Sequence, residues 1–207
     1  MTEPSNTSTA WVGIAFPAMV SARVVGAAIS PLLFAHLPVL LIVMSPFLVH
    51  LVVVAPLVTP AIYFPITLVV TTAQALIGFY FGHTFGQRAL TWLLDRVPIS
   101  DSLVERGLVL VRKASIAAIF AVPGPVMGTV AGVAGVRKKT FAICVAPAQA
   151  IWITAAYFAG EALLDYIEII RHFVIEHALA LTGVTITIVL GRWLYTAHRR
   201  RHRGGAA

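Results

Sequence analysis

Two short stretches could hold unpaired hydrogen-bond donors inside an otherwise apolar chain. In the first, Pro123-Gly124-Pro125 interrupts a run with no Asp, Glu, Lys or Arg between Lys113 and Arg137. Two missing amide donors and two ring clashes break a helix there. A half-helix restarting at Pro125 leaves the amides of Val126, Met127 and Gly128 without intrahelical partners. A helix N-terminus carries about half a positive charge and takes anionic groups, phosphate among them. Ser45-Pro46 reads as the same device, with serine as N-cap and proline at the first helical position. One turn on, His50 is of a residue type that can titrate near neutral pH and could carry a proton, although a histidine in such a place is more often a hydrogen-bonded core residue. The chemistry on offer along this substrate path is the non-covalent reception of a negatively charged head group.

Those stretches belong to a chain of 207 residues that is 59% hydrophobic and 11% charged, with a mean hydropathy of +0.91. Soluble domains carry about 25% charged residues, so the composition is that of an integral membrane protein. No Asp, Glu, Lys or Arg occurs from Val24 to Gln87, room for roughly three spans of about 20 residues each. A single membrane domain over 10–197 is expected, between a disordered tail at 1–9 and a basic tail at 198–207.

The net charge of +7 does not imply nucleic acid. The basic residues sit at the ends of apolar segments, where positive-inside retention and attraction to anionic lipid account for them. Cys144 stands alone and can form no internal disulfide, and one thiol makes no metal site. His198 and His202 fall in an arginine-rich tail unsuited to holding a metal. There is no H-E-x-x-H, phosphate-binding loop, nucleophile elbow or C-x-x-C. Neither an enzyme nor a cofactor is expected. The first ten residues include Glu3 and lack a basic region, which argues against a cleavable signal peptide.

The elements that must position the two breaks follow from the apolar runs. Trp11 to Phe34 reads as the first membrane segment, in which Arg23 either faces a protein interior or snorkels to the interface. Residues 36–57, with Pro38, Pro46 and Pro56, read as a re-entrant hairpin of two half-helices. Pro60 to Gly86 reads as a full span, with Gln74 and Tyr80 expected to hydrogen-bond between helices. Residues 88–113 mix five basic and three acidic side chains with Trp92 and leucines, as interfacial helices do, with a capping-box start at Ser102 and Glu105.

Residues 114–136 read as a second hairpin turning at Pro123-Gly124-Pro125. A single crossing would put either Arg112-Lys113 or Arg137-Lys138-Lys139 on the wrong side. A span from Phe141 to Gly160 interrupted at Pro147, an acidic segment at 161–176 and a last span from Phe173 to Tyr195 complete the chain. The expected fold is all-α and polytopic, with about four transmembrane helices and two opposed re-entrant hairpins. Charge bias puts both termini on the cytoplasmic side of the plasma (inner) membrane. The separations Pro46 to Ala61 and Pro125 to Thr140 are equal, a weak sign of an inverted repeat with its site between the tips.

Gly78-Phe79-Tyr80-Phe81-Gly82-His83-Thr84-Phe85-Gly86 is similar to the glycine-and-tyrosine segment of the DedA family of bacterial membrane proteins, whose wider group includes the eukaryotic VTT-domain proteins. Pro123-Gly124-Pro125, then Ala131-Gly132 and Arg137-Lys138-Lys139 ahead of Phe141, resembles the same family's proline–glycine hairpin and basic turn. The resemblance covers roughly residues 36 to 165. The family's hairpin arginines fall here on Phe120 and Val126, its second acidic position on Ala75, and the first hairpin has no acid.

The resemblance implies transport of phospholipid or polyprenyl-phosphate carrier lipid, with the rim of Arg112, Lys113, Arg137, Lys138 and Lys139 gathering anionic head groups. The same rim also reads as an orientation signal alone, and Gly128 and Gly132 as helix-packing residues. A homo-oligomer is compatible with the sequence. The expected function is a lipid flippase or scramblase. The alternatives are a transporter or channel for a small ion or solute, and a membrane scaffold.

Overall fold

Proline decides where several helices begin. Ser30–His36, Pro38–Met44, Pro60–Phe85 and Pro125–Val133 each carry proline in the first turn, where its missing amide would have no partner anyway. The computed structural model describes residues 6–96 and 101–204, and side chains except at 6–9, 94–96, 101–107, 110, 112 and 192–204. In chain order the helices are α1 (Asn6–Ala28), α2 (Ser30–His36), α3 (Pro38–Met44), α4 (Leu48–Val54) with a short 3-10 turn (Ala55–Leu57), α5 (Pro60–Phe85), α6 (Gln87–Arg96), α7 (Asp101–Ala121), α8 (Pro125–Val133), α9 (Lys138–Ala162), α10 (Leu164–Glu176) and α11 (Ala178–Gly204). No strand occurs among the described residues.

Among the described residues, three helices are long and apolar enough to cross a membrane: Ala10–Ala28 of α1, α5 and α9. α10 and the start of α11 add a fourth if they count as one span, although they are bent by 89° where they meet. The outward surface is apolar, with Ile14 71% and Leu179 80% exposed. The inward face of α5 sets small and polar residues, Thr67, Thr71, Gln74, Gly78 and Gly82, beside the buried rings of Tyr63, Phe79 and Phe81. Lipid tails give no hydrophobic reward for helix association, so close backbone packing and polar contacts supply it. The described residues form an all-helical fold whose three to four apolar helices suit a membrane-embedded protein.

Two helix pairs show how close that packing is. α8 lies along α5, and a Cβ at Gly78 would strike the Pro125 carbonyl, one at Gly82 the Thr129 carbonyl. The fit is mutual: Gly128 meets the Ala75 carbonyl and Gly132 the Phe79 carbonyl. α4 lies along α9, where Gly160 meets the Val52 carbonyl and Pro56. Each short helix after a break therefore rests on the long helix that follows the other break. Phe79 stacked on Phe141 at 4.4 Å ties α5 to α9, and Phe16 stacked on Phe81 at 4.2 Å ties α1 to α5.

Several boundaries differ from those expected. Helix α1 begins at Asn6, inside the supposed tail, and residues 1–5 lie outside the described ones. The first apolar segment does not run to Phe34. Pro31 cannot donate to the Ala27 carbonyl, the Ser30 hydroxyl does so instead at 2.9 Å, and the helix breaks at Ile29. Pro147 does not interrupt α9, which runs unbroken from Lys138 and so takes Lys138 and Lys139 into its first turn. The acidic segment forms α10, and the last apolar helix starts at Ala178 and continues helical through the basic tail to Gly204. α7 starts at Asp101, and the side chains of Ser102 and Glu105 lie outside the described residues. A kink at Ala114 (φ −148°, ψ 63°) falls where the second hairpin was expected to begin.

Candidate functional site

The two breaks are built differently. Between α7 and α8, Gly124 is the N-cap, with extended backbone at φ 163° and ψ 177°, so its conformation does not demand glycine. Its Cβ position is open space. The Gly124 carbonyl accepts from the Gly128 amide at 2.8 Å, so Gly128 is not a free donor as expected. Val126 and Met127 keep amides without a backbone partner among the described residues. The Phe120 carbonyl, orphaned by the break, accepts from Trp152 Nε1 at 2.9 Å.

Between α3 and α4, Ser45 is not an N-cap. It ends α3, and α4 starts only at Leu48 after extended Phe47. The residue before a proline is pushed out of the helical region, so Ser45 cannot open a helix, and its buried hydroxyl has no partner. Its carbonyl is busy, accepting from the Phe47 amide at 2.8 Å and the His50 Nδ1–H at 2.6 Å. With seven residues, α4 is too short to present an anion site at its N-terminus. His50 therefore braces the break and packs edge-on against Phe47 at 5.7 Å.

The breaks meet at one cavity of about 360 Å³, which Pro46 lines from one side and Pro123, Gly124 and Pro125 from the other. Of the expected path residues, Ser45, His50, Val126, Met127 and Gly128 do not line it. Three long helices complete its wall, through Arg23 of α1, Thr71 and Gln74 of α5, and Gln149 of α9. Gln74 and Gln149 sit near the middle of their helices. The exposed apolar residues Phe47, Leu48 and Val122 rim the opening with Trp152.

Arg23 is placed by a close approach. A Cβ at Gly26 would crowd Met44 and Ser45, so α1 presses against the end of α3 and carries Arg23, one turn earlier, to the break. There Arg23 Nη2 donates to the Pro46 carbonyl at 3.4 Å and the guanidinium lies 4.7 Å from the Phe47 ring centre. Its Nε is buried without a partner. Of the two readings the sequence left open, the interior one holds. Gln74 also departs from expectation: it is buried and its Oε1 has no partner. Gln149 and Trp152 were not singled out from the sequence. Their only signal was polarity within an apolar span.

The rim is less concentrated. Lys113, Arg137, Lys138 and Lys139 are exposed and no ion pair engages them among the described residues, while the Arg112 side chain lies outside those described. Lys138 Nζ sits 5.8 Å from the Tyr80 ring centre. No group of three or more His, Cys, Asp or Glu suited to a metal occurs among the described residues. Comparisons with family models, curated proteins and solved structures give no match.

Proposed function

We propose that this chain is a lipid transporter, a flippase or scramblase that moves phospholipid or polyprenyl-phosphate carrier lipid across the membrane. One observation carries the reading. The two proline-broken segments converge on a single cavity with a cation inside it and an apolar rim. Lipid needs both parts, since a phosphate head group must cross the apolar layer inside protein while its tails stay in hydrocarbon. Arg23 supplies a charge for the phosphate, which the family-like hairpin lacks at Phe120 and Val126. Phe47, Leu48 and Val122 offer a tail-compatible edge.

On this reading the broken segments are two re-entrant hairpins entering from opposite faces, and the reciprocal packing of α8 on α5 and α4 on α9 reflects an inverted repeat. Binding near the midplane between repeats is the usual arrangement for such folds. Both termini are cytoplasmic, the membrane is the inner (plasma) membrane, and the chain is a divergent relative of the DedA family. Anionic lipids are its partners, gathered by the basic rim.

The test is reconstitution. Purified protein in liposomes should move tail-labelled phosphatidylglycerol or a labelled polyprenyl phosphate between leaflets faster than protein-free liposomes do. No acceleration of either lipid would overturn the proposal, and uptake of a small solute by the same liposomes would favour a solute carrier.

A further inference from the structure

The cavity holds more polar chemistry than a phosphate alone would use. Gln74 and Gln149 are only 8% and 5% exposed and both line the cavity; the Gln74 Oε1 is buried without a partner, and no hydrogen bond within the fold engages Gln149 among the described residues. Buried amides are normally paired, and one left unpaired is a cost to the fold unless something else fills it. Arg23 poses the complementary problem. It lines the same cavity with a buried, unpartnered Nε, and the lining contains no Asp or Glu. An occupant that settles both must bring anionic oxygens for Arg23 and an N–H or O–H donor for a carboxamide oxygen.

Resting on the lipid reading above, we infer that Gln74 and Gln149 are specificity-determining residues that select phosphodiester head groups carrying a hydrogen-bond donor. Ethanolamine and glycerol head groups qualify, through their ammonium and hydroxyl groups. Choline does not, because its quaternary nitrogen has no hydrogen to give. An aromatic cage could hold choline instead, but the aromatic groups here are engaged. Arg23 lies over Phe47, His50 meets its edge, and Trp152 donates to the Phe120 carbonyl. A site whose polar groups go unmet by the wrong ligand rejects it, and one such group sets a preference of about tenfold.

The experiment uses the full chain in two formats. In proteoliposomes, transbilayer movement is followed for tail-labelled phosphatidylethanolamine, phosphatidylglycerol and phosphatidylcholine. In detergent, native mass spectrometry counts bound dioctanoyl forms of the same three lipids. The wild-type protein should favour the ethanolamine and glycerol lipids by about tenfold in both. Gln74→Met and Gln149→Met, near-isosteric and breaking no internal hydrogen bond, should lower those two lipids to the choline level and leave choline unchanged. Selective binding without movement would support the filter while removing the transport reading. Equal binding of all three lipids, or selectivity untouched by both variants, overturns the filter whether or not lipid moves. Saturable uptake of inorganic phosphate with no selective lipid binding also overturns it, by assigning the anion site to a free solute.

Discussion

Gly82 of α5 lies so close to Thr129 of α8 that a single methyl group added to the glycine would occupy the space of the threonine carbonyl oxygen. The contact recurs one turn away at Gly78 and Pro125, so the helix after the second break is seated on α5 by close backbone contact. Forcing an extra carbon into a packed site costs about 1 to 3 kcal/mol. Gly82→Ala should therefore lower stability by about that much, read as thermal unfolding in detergent. Gly183→Ala is the matched control, because nothing lies within 4 Å of its Cβ position; it should leave the midpoint unchanged or raise it. Equal effects of the two changes would contradict the close crossing.

Ser45 separates two accounts of the first break. As an N-cap, its loss to alanine would cost about 1 kcal/mol. As a buried hydroxyl with no partner, its loss should be neutral or stabilising by up to about 1 kcal/mol. Denaturant unfolding of Ser45→Ala in detergent checks the sign, and the second outcome is expected.

Trp152 closes the carbonyl that the Pro123 break leaves open. Trp152→Phe keeps the ring and removes the indole donor to Phe120, which should cost about 1 kcal/mol. Amide hydrogen exchange should rise over residues 118–125 and stay unchanged in α1. A variant with native protection at the tip would contradict the role given to this bond.

Arg23 links stability to activity in opposite directions. Its cation is partly buried with no acidic partner in the cavity, a cost the fold carries without an occupant. Arg23→Met should raise the unfolding midpoint, by about 1 kcal/mol in stability, while abolishing lipid movement. A variant that is less stable and still moves lipid would place Arg23 in a structural role alone.

How far the sequence could be read depended on whether a feature is local. The Pro123 break and the span from Pro60 were legible because missing donors and ring clashes act within one turn; the kink at Ala114 has no proline beside it and was not. Gly128 and Gly132 were legible as packing residues because small-xxx-small spacing marks one helix face. The position of Arg23 was not, since it depends on Gly26 letting α1 approach Ser45 across the fold. Gln149 was hidden for the same reason: one amide in an apolar run has no meaning until α9 is set against the tip. The 89° bend at His177 has neither proline nor glycine beside it, so only the acidic residues of α10 hinted that the chain leaves its straight course there.

The central claim is that the cavity between the two breaks is the lipid path, and Gly124→Leu tests it most directly. Its backbone is extended and its Cβ direction is open, so leucine should fill the cavity mouth without disturbing the fold. The account predicts an unchanged unfolding midpoint together with loss of phosphatidylglycerol movement in proteoliposomes. A folded Gly124→Leu protein that moves lipid at the wild-type rate would contradict it.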